Sequence, residues 1–527
     1  MSAGLAGALA VVLCPFAGRA ADGTAESEVF YIDASLDLDG LLASWAFVDV
    51  DGDGALELVL AVCLADGERE LRVHELSAHR LESVPKHTVR VLGDVIAWGC
   101  ADVRSEPGRE LLFLTRGGVW SYSLTRPGYR DNVSRLVVDD LLYDLPDPRA
   151  LEHWEYIIPG SGSGADGRDL VLLPDRTGYA IWGATGEEDA PYGRRARFED
   201  SEDDGDDRGS VGDRPRRAEM SFSSGGSSPF LREDPRGTAA LLSDSRKVRA
   251  PALMDLDGDG FLDLLRVSDE ALTIHMGGPD GPSADPTRVE PLPKELMAED
   301  GESVELTLID LDGDGDLDLL AHVEEDVDGF ENALHRIFIY RGNAERLIGA
   351  KPDQVLRFEA AMLRVEVTDV DGDGRVDLAF RKLELPSVVA AVTGLEFTFT
   401  YLVYMGGRKG FDKRPTLDHE ETYDEDTVVG LAANRELTLD CDGDGIADLV
   451  EVDLDGRIAI RRVIKTSSFL RGETWSLERA PWKRFAGEGS IESLVVRDLN
   501  GDGLGDVISA GERRFSLWLS SRGRQRR

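Results

Sequence analysis

Six short stretches of this 527-residue chain place acids where a hard cation would want them: DVDGDGALE from Asp49, DLDGDGFLD from Asp255, DLDGDGDLD from Asp310, DVDGDGRVD from Asp369, DCDGDGIAD from Asp440 and DLNGDGLGD from Asp498. Positions 1, 3, 5 and 9 of the first three loops are Asp49, Asp51, Asp53 and Glu57; Asp255, Asp257, Asp259 and Asp263; and Asp310, Asp312, Asp314 and Asp318. In the other three they are Asp369, Asp371, Asp373 and Asp377; Asp440, Asp442, Asp444 and Asp448; and Asp498, Asn500, Asp502 and Asp506. Ca2+ takes about six to eight oxygens, which these side chains, the carbonyl of position 7 and water can supply. The glycines at positions 4 and 6, such as Gly258 and Gly260, let the chain bend through conformations costly for other residues. Mg2+ keeps more of its own waters, and zinc favours nitrogen and sulfur. About six calcium ions with a structural role are therefore expected, joining the two strands that flank each loop.

Two other readings of the loops are weaker. Asp-Gly pairs make tight turns without metal, but a turn does not require acids at positions 1 and 9. An EF-hand needs a glutamate at position 12, where this chain has Leu60, Arg266, Ala321, Phe380, Glu451 and Ser509. Two eroded copies, DVRSEPGRE from Asp102 and SGSGADGRD from Ser161, lack several ligands and are expected to be metal-free. The second contains a GxGxxG at Gly162, Gly164 and Gly167, which its place in the repeat explains better than a nucleotide site does.

The elements that must position these loops follow from their flanks. Apolar runs precede them (WAFV, LTLI) and follow them (LELVLAV, LDLLRV, VDLAF), and unbroken runs of this length read as strands buried on both faces. A third, more alternating strand follows at 337–340, 398–404, 457–460 and 515–519, and a fourth at 87–91 and 134–138. The repeat recurs at a little under about 60 residues, which suits a four-stranded propeller blade with generous loops. The last repeat ends after its third strand, while EVFYID at 28–33 precedes the first without a loop of its own. The expectation is an all-β β-propeller over 28–520 of four-stranded blades, closed by the N-terminal strand. Such closure removes an open edge.

The formal charge of −42 argues against a nucleic-acid partner, and much of it sits in carboxylate clusters that repel themselves unless a cation intervenes. Residues 1–21 read as a cleaved signal peptide, an apolar run followed by small residues, although the usual positive start is missing. This places the protein as secreted, periplasmic or in the cell envelope, without a transmembrane segment in the mature chain and as a monomer. Cys63, Cys100 and Cys441 form no CxxC pair and read as small buried hydrophobes. Residues 184–217, dense in mixed charge, read as a disordered insertion, and 521–527 as a frayed basic tail.

The six loops, with YMGGRKGF at 404–411 and IHMGG at 274–278, resemble the FG-GAP/VCBS repeat family, found also in the N-terminal propeller of integrin α chains. The resemblance covers almost all of 28–520. It implies seven blades most often and eight in some members, and the eight loop positions here favour eight, with seven as the alternative. It further implies an adhesion, ligand-binding or scaffold module whose protein or glycan ligand sits on the face opposite the calcium loops. The alternative is a carbohydrate-active enzyme, a polysaccharide lyase or glycosidase. Eight scattered histidines without HExxH, and the lack of GxSxG, single out no catalytic residue.

Overall fold

Leucine- and valine-rich runs flanking each loop can bury both faces only inside stacked sheets, and that is where they lie. The computed structural model describes residues 9–11, 29–77, 80–105, 108–124, 133–137, 151–155, 157–159, 167–175, 178–185, 191–199, 251–268, 270–297, 302–325, 332–343, 346–385, 396–424, 435–453, 455–468, 472–485 and 491–522. Its architecture is an eight-bladed β-propeller, each blade built on four antiparallel strands. Among the described residues the one helix is the three-residue 3-10 turn Lys294–Leu296, and none is long and apolar enough to cross a membrane.

Four blades belong to a compact unit of Asp39–Leu76 and Val84–Pro291. Blade 1 is Leu41–Val48, Glu57–Cys63, Arg69–Ser77 and His87–Val91; blade 2 is Val95–Ala101, Glu110–Thr115, Gly118–Ser123 and Val133–Val137. Blade 3 is Ile157–Ile158, Leu170–Asp175, Gly178–Ala184 and Tyr192–Glu199; blade 4 is Ala252–Met254, Asp263–Val267, Ala271–His275 and Arg288–Pro291. In every blade the acidic or eroded loop joins the first two strands. In blades 1 and 2 the second strand is the most buried: all of Glu57–Cys63 and of Glu110–Thr115 lies inside. Neighbouring blades pack face to face, Leu112 and Leu114 of blade 2 against Val171 and Leu173 of blade 3, all fully buried. Each such side chain contributes about 1.5–3 kcal/mol.

The other four blades belong to a unit of Met1–Leu38, Ser77–Ser83 and Leu292–Arg527. Blade 5 is Glu302–Ile309, Asp318–Glu325, Ala333–Tyr340 and Gln354–Ala360; blade 6 is Met362–Thr368, Asp377–Glu384, Glu396–Tyr404 and Leu417–Asp424. Blade 7 is Arg435–Leu437, Leu449–Val452, Ile458–Arg461 and Lys483–Phe485, and blade 8 is Ser493–Arg497, Asp506–Gly511 and Arg514–Arg522 with Val29–Asp37. The expected closure is therefore present. Val29–Asp37 pairs antiparallel with Arg514–Arg522 along its whole length, from Val29 opposite Arg522 to Asp37 opposite Arg514. Phe485 of blade 7 stacks on Trp518 of blade 8 at 4.9 Å between ring centroids.

The structure departs from the sequence reading in three places. Tyr192–Glu199, read as the start of the 184–217 insertion, forms the fourth strand of blade 3. Alternation in YGRRARFE buries Tyr192 and Phe198, at 3% and 2% exposed, while its arginines keep their charge outward; charge density hid this period of two. Residues 186–190 and 200–217 of that segment lie outside the described residues. A hairpin of Val463–Ser468 and Gly472–Leu477 separates the third and fourth strands of blade 7. The tail read from residue 521 starts later, because Arg522 still pairs with Val29; 523–527 lie outside the described residues. So does most of the 1–21 leader, of which Leu9–Val11 adds a short parallel strand beside Leu306–Leu308 of blade 5. The three described cysteines, Cys63, Cys100 and Cys441, are free and buried.

Candidate metal loops

Each intact loop is tied first by its own carboxylates. In the loop from Asp310, Asp310 Oδ1 accepts the Gly313 N–H at 2.7 Å and Oδ2 that of Gly315 at 2.9 Å. The position-5 acid, Asp314, accepts the N–H of position 7 at 2.9 Å. The same pattern recurs from Asp49, Asp255, Asp440 and Asp498; in the fourth loop Asp369 Oδ1 accepts the Asp373 N–H while Oδ2 accepts that of Gly374. The curl requires left-handed backbone at both loop glycines, with φ of 76° at Gly313 and 91° at Gly315. The carboxylates are gathered on the inside of this curl. Oxygens of Asp310, Asp312 and Asp318 lie within 4.8 Å of one another, as do those of Asp369, Asp371 and Asp377, of Asp49, Asp51 and Asp53, and of Asp255, Asp257 and Asp259.

Position 9 does something that spacing alone did not show. Asp377 is 1% exposed, and its Oδ2 accepts the N–H of Val370 at loop position 2 while its Oδ1 accepts the N–H of Gly406, just beyond the third strand. Asp318 bridges Leu311 and Gly342 in the same way, Asp263 bridges Leu256 and Gly277, and Asp506 bridges Leu499 and Ser520. Asp448 reaches Cys441 and Val463. One buried carboxylate thus pins the loop to the far strand. The glycine turns at Gly342 and Gly406 are required by this arrangement, because a Cβ would stand 1.8 Å from the Leu317 carbonyl oxygen in the first and 1.9 Å from that of Val376 in the second. Glu57, the long variant, still accepts the Val50 N–H at 2.8 Å. Asn500 accepts from Asp502 through Oδ1 and donates to the Ser520 carbonyl.

Electrostatically these loops hold more negative than positive charge. Burial first, and the neighbouring acids second, push Asp377 up to about 7, Asp448 to about 8, and Asp318 and Asp506 to about 6, against the lowering effect of their backbone hydrogen bonds. Local cations answer only part of this: Lys86 reaches Asp51 at 3.3 Å and Arg341 reaches Asp312 at 2.9 Å. Asp312 Oδ1 is buried and finds no hydrogen-bond donor of good geometry among the described residues, and a buried carboxylate oxygen without a partner is costly. Hard oxygen donors, a gathered cluster and an unsatisfied oxygen fit a divalent cation of the calcium type.

The loops of neighbouring blades are also joined. In the unit holding blades 5 to 8, Ala447 N–H donates to Val370 O at 2.8 Å and Gly505 N–H to Asp440 O at 2.7 Å. Tyr31, on the N-terminal strand, donates its hydroxyl to the Cys441 and Gly505 carbonyls, at 3.0 and 3.1 Å.

The eroded loop of blade 2 carries its own cation. Arg104 stands at position 3, where intact loops have an acid, and donates from Nε to Ser121 Oγ at 3.0 Å and from Nη2 to Ser121 O at 2.6 Å. Its charge lies near Glu110, the position-9 acid, which burial pushes up to about 7 while Arg104 opposes the rise. Arg109 forms a 3.0 Å ion pair with Asp169, the position-9 acid of blade 3. Residues 161–166 of the loop from Ser161, Gly162 and Gly164 among them, lie outside the described residues. Guanidinium here links the loop to the third strand. Arg104→Ala is expected to lower the melting temperature by roughly 1–3 °C, equally with calcium and with a chelator. A loss confined to calcium-containing buffer would show that this loop binds metal after all.

Repeated blades whose first two strands are joined by acidic loops define a repeat β-propeller, a class that serves as a ligand-binding or scaffold module. The family model of the FG-GAP-like repeat matches residues 255–321, from position 1 of the blade 4 loop to the second strand of blade 5. That match and the eight-bladed architecture are consistent with an FG-GAP-repeat propeller. None of the curated proteins matches it in sequence.

Proposed function

We propose that this propeller is a calcium-loaded binding or scaffold module of the cell exterior or envelope, and that its ligand docks at blade ends opposite the acidic loops. The gathered carboxylates, with the unpartnered Asp312 Oδ1, carry the calcium part of this reading. Asp49, Asp255, Asp310, Asp369, Asp440 and Asp498 begin the six loops that would hold the ions. Calcium there supplies charge neutralisation and rigidity, and the chain's own residues make the binding surface.

Blade 2 offers such a surface. Its loop from Asp102 joins strands 1 and 2, so the turn at Arg116 and Gly117, which joins strands 2 and 3, lies at the other end. A recess of about 260 Å³ opens there, lined by Asp94, Thr115, Arg116, Gly117, Trp120 and Arg135. Arg135 lies over the Trp120 ring, 5.6 Å from its centroid, and is held by a 2.7 Å bond to the Gly117 carbonyl. An aromatic face beside two guanidinium groups suits an acidic saccharide, which offers both a flat apolar side and a carboxylate. Screening the full-length protein against acidic and neutral glycans, with and without calcium, tests this. Binding of acidic glycans that Trp120→Ala abolishes is the expected result. Turnover of any polysaccharide would overturn the binding reading, and recovery of the protein in the cytoplasmic fraction would overturn the location.

A further inference from the structure

The histidines look scattered along the chain, but the fold of blade 5 brings two of them together. His322 and Glu324 alternate on the strand Asp318–Glu325 and so share one face. His335, on Ala333–Tyr340, stands directly opposite Glu324 in the register. His322 Nε2 lies 3.0 Å from His335 Nδ1, and ligand atoms of all three residues fall within 4.8 Å of one another. We propose that His322, Glu324 and His335 form a transition-metal site of the zinc class, separate from the calcium loops.

The donor set, two imidazole nitrogens and one carboxylate, is borderline-soft and has the composition of an open zinc site rather than a calcium cage. Two nitrogens bound to one tetrahedral zinc stand about 3.3 Å apart, so a shift of a few tenths of an ångström from the 3.0 Å separation suffices. His335 Nε2 lies 3.2 Å from the Ala360 carbonyl oxygen. That oxygen can only accept, so Nε2 carries the proton and the Nδ1 lone pair faces the cluster. A backbone carbonyl orienting the remote ring nitrogen is the usual outer support of a metal-bound histidine. Without metal, His322 donates its Nε2 proton to His335 Nδ1; binding moves that proton to His322 Nδ1 and frees both lone pairs.

Burial and charge agree with this assignment. His322 is 8% exposed and His335 is fully buried, which leaves little water to compete, while half-buried Glu324 brings the negative charge. Arg364 of blade 6 is the positive group nearby, and Glu305, paired opposite His322 in the register, offsets it. Four residues separate His322 from Asp318, roughly 13 Å along the strand, so the site and the loop from Asp310 do not share ligands.

Cobalt titration of the full-length protein in excess calcium provides the test. One equivalent should bind with the visible absorption of a low-coordinate nitrogen and oxygen site, and zinc should displace it. Glu324→Gln should weaken binding by roughly tenfold or more, and His335→Gln should abolish it. Absence of the cobalt spectrum, or binding unchanged in both variants, would leave the pair as a hydrogen-bonded fixture of the core and overturn the proposal. Should His335→Gln fail to fold, anomalous scattering at the zinc edge from zinc-soaked wild-type crystals decides the matter. A peak between the two rings supports the site, and an empty map there sinks it.

Discussion

Removing calcium with a chelator is expected to lower the melting temperature of the purified protein by roughly 15 °C. A site saturated at 100 times its dissociation constant adds about 2.7 kcal/mol, so six such sites add about 16 kcal/mol. Unfolding entropy of about 2.1 cal/mol/K per residue, over 527 residues, comes to about 1.1 kcal/mol/K. The ratio is the expected shift. Its structural basis is the crowding of buried acids: Asp448, pushed up to about 8 by burial and then by Asp442, Asp440 and Asp444, shows how far these groups are from a comfortable ionised state without a cation. Differential scanning calorimetry with calcium, with EDTA, and with EDTA back-titrated by calcium measures it. A melting curve indifferent to chelation would refute the calcium assignment.

Asp377→Ala and Asp371→Ala should separate two jobs that the loop motif merges. Asp371, at position 3, accepts a 3.3 Å bond from the Asp373 N–H and lies in the carboxylate cluster with Asp369 and Asp377. Its removal should cost a few degrees in calcium and be neutral or slightly stabilising in EDTA, where it relieves repulsion with Asp369 and Asp373. Asp377 instead satisfies the Val370 and Gly406 N–H groups, at 2.9 and 2.6 Å. Leaving two buried donors unpaired costs roughly 1–3 kcal/mol each, so Asp377→Ala should lose roughly 2–5 °C in both buffers. Were the Asp377→Ala loss to vanish in EDTA, position 9 would be a ligand and no staple.

Much of the frame was legible because it is local. Six DxDGDGxxD-type loops, the apolar runs beside them and the unpaired N-terminal strand are each read from fewer than about ten consecutive residues, and strand periodicity is a short-range property. Eight loop positions announced eight blades, and the strand Val29–Asp37 found its place beside Arg514–Arg522. The fourth strand of blade 3 was missed because arginines at the outward positions of Tyr192–Glu199 masked the buried Tyr192 and Phe198. The hairpin inside blade 7 was missed because VIKTSS and GETWSL sit at an interval that the repeat length absorbs.

The chain's own order of residues therefore determined the loops, their spacing and the strands that flank them, since hydrophobic runs, glycine turns and clustered acids act over a few residues. Tertiary structure alone decided what meets across strands. It set Asp377 against Gly406, 29 residues away, Arg104 against Ser121, Tyr31 against Cys441, and His322 against His335. The physical reason is that side chains on one sheet face are neighbours by register, and register is fixed by pairing and packing among strands, not by any single segment.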